Sequence, residues 1–117
     1  MRLPLTAAAL LLCAVPTTTS AHHGWSTYDA NKTVTITAPI TEIRWANPHG
    51  GAAVQYQGKR WEVVLAPVLR MEQRGLTADM LKKAKSVTLI GQPRIDGTPE
   101  MKIQRIVVDG KEYNLLA

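Results

Sequence analysis

Three histidines carry the most pointed chemistry in this chain. His22 and His23 stand side by side, and His49 follows in the turn Asn47-Pro48-His49-Gly50-Gly51. What precedes the pair gives it meaning. Arg2, an apolar run through residues 7–15, a break over residues 16–20 and the small-residue site Thr19-Ser20-Ala21 have the layout of a secretory signal cleaved after Ala21. The run is too short to span a bilayer, which takes ~20 apolar residues, so no transmembrane anchor is expected after cleavage. Cleavage there makes His22 the first residue, with a free α-amine. That amine and the Nδ1 of the same imidazole chelate one metal ion, and a second imidazole completes a T-shaped set of three nitrogens, a histidine brace. Tetragonal nitrogen sets suit Cu(II), which also heads the affinity order for such ligands. The reading takes His22 and His49 as core ligands, His23 as an auxiliary one and copper as the cofactor. Protons compete for these nitrogens, so affinity is expected to fall as pH drops through the imidazole and amine values, ~6.5 and ~8. The plain alternative is a solvated terminal pair and a histidine in a surface turn.

Other candidates carry less. Met71, Met80 and Met101 offer thioethers that favour Cu(I), but Met71 and Met80 fall on short amphipathic segments and read as core. Trp61 alternates with Val63 and Leu65 and also reads as core. Trp45 adjoins the Asn-Pro-His turn and is placed to shield a site there, and Trp25 to pin the arm. Acid/base pairing is absent among Glu62, Glu72 and Asp79, and Ser26 has no nucleophile elbow around it. An enzyme is therefore not the expectation, with a small copper redox enzyme as the minor possibility.

Composition bounds the partners. The chain has 117 residues and a formal net charge of +5, and removal of 21 residues leaves 96, with Arg2 and Cys13 gone and a charge of +4. With Cys13 in the leader, the mature chain has neither a disulfide nor a cysteine zinc site. The cations are spread along the sequence, and the densest group, Lys82-Lys83-Lys85, ends a helix where the dipole favours it. Nucleic acid is not an expected partner; a metal ion is, and another envelope protein is possible on this reading. The oligomeric state is left open.

The elements that must position the histidines follow from periodicity. The reading divides the chain into a signal at 1–21, a histidine-containing arm at 22–32 and a domain at 33–117. Residues 33–45 form a long first strand: Val34, Ile36, Ala38 and Ile40 alternate, then Ile43 and Trp45 continue on the other parity. One extra residue near 39–42 explains the slip as a bulge, and Pro39 suits it. Strands follow at 52–57 and 60–66. Pro67 opens a helical segment that Gly75 interrupts and Thr77 restarts, over 78–84. Strands at 86–92, 101–108 and 113–116 close the chain, the second with its own parity slip between Ile103 and Ile106, and Asp109-Gly110 turns the last pair. The fold class is all-β: a small five- to six-stranded OB-like barrel with a short helical segment between strands 3 and 4.

His22-His23-Gly24-Trp25, Trp45-Ala46-Asn47-Pro48-His49, Trp61-Glu62-Val63, Arg74-Gly75-Leu76-Thr77 and Asp96-Gly97-Thr98-Pro99 together resemble the DUF6152 family. These are small exported bacterial proteins without an established function. The resemblance covers nearly the whole mature chain and implies an exported OB-like domain whose histidines have no assigned role. Ala38-Pro39 stands where a glycine is usual, and Ala84 where a Pro-Gly turn is usual. The resulting expectation is a periplasmic or secreted protein that binds, carries or buffers copper. The alternative is a non-metal OB-like module that presents Trp45 and Tyr56 to a protein or glycan of the cell envelope.

Overall fold

The structure, a computed structural model, describes residues 27–117. The expected signal, His22, His23, Trp25 and Ser26 lie outside the described residues. The chain runs β1 (Val34–Ala38), β2 (Ile40–Arg44), β3 (Gly51–Tyr56), β4 (Lys59–Val64), α1 (Val68–Gln73), α2 (Ala78–Lys83), β5 (Val87–Pro93), β6 (Glu100–Val108) and β7 (Lys111–Asn114). The all-β class and the helical segment after the β3–β4 hairpin are as expected. The strand count is not: the long first strand is two strands, divided at Pro39, which has no N–H to give a ladder.

That division sets the topology. The strands form one sheet in the order β1-β5-β6-β4-β3-β2, with β7 on β6. β1 pairs with β5, and β2 with β3, so two strands consecutive in sequence end the two sides of the path. All pairings are antiparallel except β4 with β6, which is parallel. Both parity slips are bulges: one between Ile40 and Glu42, one between Ile90 and Gly91 against Arg105 and Ile103. At the second, β5 and β6 approach so closely that a Cβ on Gly91 would stand 2.0 Å from the Lys102 carbonyl oxygen. Only glycine fits there.

One core holds this together. Ile36, Val54, Val63, Leu89, Ile106 and Val108 from the strands meet Met71 and Leu81 from the helices and Leu65 and Leu76 from the segments that join them, all 2% exposed or less. Met71 and Met101 are fully buried and Met80 packs against the same core, so the methionines fill space as expected. Thr77 accepts the Met80 amide in its side chain and caps α2, while Gly75 takes a φ of 87° after α1. The last strand starts at Lys111, two residues before the expected position. Asp109 and Gly110 both adopt positive φ and make a two-residue turn, which forces pairing to resume at once. Among the described residues no helix is long and apolar enough to cross a membrane.

Candidate functional site

His49 lies where the 45–50 loop meets a cleft. The loop leaves β2 at Arg44 and is pinned at its far end. The Gly50 amide donates to the Ala66 carbonyl at 3.0 Å, and the Leu65 amide donates to Gly50 at 2.9 Å. Gly50 is buried against Met71, whose methyl would stand 2.6 Å from a Cβ there. The peptide bond between Asn47 and Pro48 is cis. His49 itself is exposed, one residue from that anchor. It lines a cleft of about 500 Å³ together with Pro48, Tyr28, Arg44, Glu62, Glu100 and Lys102.

Two charged assemblies flank the cleft. On the outer face of β2, β3 and β4, Glu42, Arg44, Arg60 and Glu62 form an alternating quartet. Arg44 pairs with Glu42 at 3.0 Å and Glu62 at 2.7 Å, and Arg60 pairs with the same two carboxylates. Ala53, the register partner of Glu42 and Glu62, is 0% exposed although it lies outside the core cluster, so the quartet itself covers it. A Cβ on Gly51 would stand 3.1 Å from Arg44 Nη2, so glycine lets the guanidinium lie across the strand. Hydrogen bonds from Arg60 first, then Arg44, hold the Glu42 carboxyl below its usual range.

The second assembly is enclosed. The Tyr28 hydroxyl donates to Glu100 Oε2 at 2.7 Å, and Arg94 Nη1 reaches the same oxygen at 3.2 Å. Arg94 also binds Asp96, whose carboxyl is pushed down to about 2, chiefly by that guanidinium and then by the Thr98 amide. Burial, and then the Glu100 hydrogen bond, raise the Tyr28 phenol well above its usual value. Tyr28 is 5% exposed. Its backbone bridges to Arg94, the Asp29 amide donates to Pro93 at 2.8 Å and the Ile95 amide donates to Thr27 at 2.9 Å. Between the assemblies sits Lys102, pushed down to about 8, mainly by burial and then by Arg70.

Of the three expected ligands, the structure places His49 on the cleft, while His22 and His23 lie outside the described residues. Among the described residues no group of three or more His, Cys, Asp and Glu stands together to hold a metal ion. Trp45 is half-buried and packs against the core, and its indole N–H donates to Glu72 at 3.1 Å. Tyr56 is also half-buried against the core. Tyr28, Glu100, Arg94 and Lys102 were not singled out by sequence. One signal existed for the quartet: Glu42-x-Arg44 and Arg60-x-Glu62 carry opposite charge order on alternate residues of two strands.

The profile of DUF6152, a family of unknown function, matches residues 9–102. The chain belongs to the DUF6152 family. The matched span takes in His22, His23 and every residue lining the cleft, from Tyr28 to Lys102, and stops before the second half of β6. The two departures noted in the sequence fall at element boundaries of this DUF6152 chain: Pro39 between β1 and β2, and Ala84 as the extended residue ending α2. No curated protein matches it.

Proposed function

We propose that this DUF6152 chain is an exported, periplasmic copper-binding protein. In this reading a signal is removed after Ala21, and Cu(II) is held by the His22 amine and ring and by His49, with His23 auxiliary. The role is binding, carriage or buffering rather than catalysis. The observation that carries it is the position of His49 on a cleft that Tyr28 also lines. Tyr28 lies six residues after His22, and six residues reach at most about 20 Å. The expected donor set suits the ion, because an amine and neutral imidazoles favour Cu(II). Copper bound there would supply a Lewis-acidic, redox-active centre, which His22, His49 and His23 would hold.

We also read the sheet as an OB-like barrel. The parallel β4–β6 pair and the placing of consecutive β1 and β2 at the two ends of the path support it. In such barrels ligands gather on the face of strands 2 and 3 and at the loop between strands 1 and 2, and with β1 and β2 counted as one split first strand the 45–50 loop beside the cleft is that loop. The alternative, a non-metal module for an envelope protein or glycan, draws on the size of that cleft. The Trp45 hydrogen bond to Glu72 weighs against Trp45 as its platform.

Titration of Cu(II) into protein beginning at His22, and into the same protein with one residue added before it, tests the copper reading. The expected result is at least a tenfold loss of affinity in the extended form, because the chelating amine becomes an amide. Equal affinity would sink it. Under the alternative reading, a His22→Ala, His49→Ala double variant leaves metal content and partner binding unchanged.

A further inference from the structure

We propose that the cleft beside the 45–50 loop binds a small carboxylate ligand with an apolar body, held between Lys102 and Arg44. The proposal goes beyond the copper reading and does not depend on it, since neither cation is a proposed copper ligand.

Strand register builds the site. Arg44 of β2 stands across from Gly51 of β3, Gly51 from Val64 of β4, and Val64 from Lys102 of β6. The alternate residues Ala52, Val63 and Met101 belong to the core, so this row lies on the outer face of the sheet. It carries a cation at each end and little between them, because glycine has no side chain and valine a short apolar one. All four residues line the cleft, and Ala46 and Pro48 of the loop add apolar wall. Its volume of about 500 Å³ lies within the range of small-molecule sites, which combine a mostly apolar lining with a few placed polar groups.

The neighbouring row on the same face selects the charge. It runs Glu42, Ala53, Glu62 and Glu100. Each carboxylate in it already accepts hydrogen bonds from protein donors: Glu42 and Glu62 from Arg44 and Arg60, Glu100 from Tyr28 and Arg94. A ligand cation would have to displace an arginine from one of them. A dianion such as phosphate would lay its second charge against Glu62 and Glu100. A single carboxylate meets Lys102 and Arg44 and avoids both costs. Lys102 gains most from it. Burial and then Arg70 push its amine down to about 8, and a carboxylate beside it opposes both causes. The contact is a charge-assisted hydrogen bond, the stronger kind.

Titration of metal-free protein with benzoate, followed by backbone amide NMR shifts, tests this. Saturable shifts are expected at Gly51, Val64 and Lys102, with a dissociation constant on the order of 1 mM for so small a ligand. Benzamide has the same ring without the charge and is expected to bind at least about tenfold more weakly. Lys102→Met is expected to weaken benzoate binding about tenfold, while Lys102→Arg, which restores the cation, keeps most of the affinity. No saturable shift along the row, equal affinity for benzoate and benzamide, or full benzoate affinity in Lys102→Met would each overturn the proposal. Should Lys102→Met lose its fold, the comparison of benzoate with benzamide decides alone.

Discussion

The two charged assemblies beside the cleft use the same chemistry in different surroundings. In the Glu42–Arg44–Arg60–Glu62 quartet the side chains are 40–50% exposed. In the Tyr28–Glu100–Arg94 group, Glu100 and Arg94 are 13% and 14% exposed. The quartet has more ion pairs, yet each is bathed in water, which solvates the ions almost as well when they are apart. The enclosed group has fewer contacts and no such fallback. A carboxylate removed there leaves the buried Tyr28 hydroxyl without its acceptor, and that desolvation is not recovered. Number of ion pairs and consequence of losing one run in opposite directions across a single cleft.

Glu100→Ala sets the upper end of this contrast. It is expected to lower the unfolding free energy by about 2–3 kcal/mol, read from urea denaturation, with most of the loss persisting in about 1 M salt because the site is enclosed. Lys102, between the two assemblies, comes next. Its folded value near 8 lies below the ordinary 10.5, so the folded chain sheds the proton first. Its burial penalty is fully present below pH 8 and is relieved as pH rises from 8 to 10.5, where only the unfolded chain still holds the proton. Lys102→Met is therefore expected to stabilise at pH 7 by less than about 1 kcal/mol after solvent screening, with the gain fading as pH climbs through that window. A gain that grows with pH would reverse the assignment. Glu42→Gln marks the lower end. Its denaturation midpoint should shift barely above detection at low salt and not at all in about 1 M salt. A loss matching that of Glu100→Ala would erase the contrast.

What the sequence made legible follows the range of the signals. Alternation within a strand is local, and it located both bulges, through Ile40 to Ile43 and Ile103 to Ile106. Capping is local too, so Pro67, Gly75 and Thr77 marked the helices. Pairing partners leave no such trace. Nothing in the run Glu62-Val63-Val64 says that it will lie parallel to Glu100-Met101-Lys102, and Tyr28 meets Glu100 across a separation of 72 residues. The last strand was misplaced because Lys111 and Glu112 are polar. On an edge strand the outer side needs no apolar residue, and the two-residue turn decides the start. His49 was legible by type, in its Asn-Pro-His turn, but the buried Gly50 anchor that fixes it depends on Ala66 and Met71 from the far side of a hairpin.

The division of the first strand at Pro39 also orders events in time. β2 finds β3 within a few residues, but Thr37 of β1 faces Thr88, 51 positions later. As the chain is synthesised, the β2–β3–β4 meander can assemble early, while β1 keeps a bare edge until β5 has emerged. Distant pairings are slow to close, and an unpaired edge is the place where a growing chain sticks to another. In the finished fold the outward side of β1 carries Thr35 and Thr37, beside Pro39. A growing chain of this design therefore carries β1 without its ladder partner until β5 follows, 51 positions on.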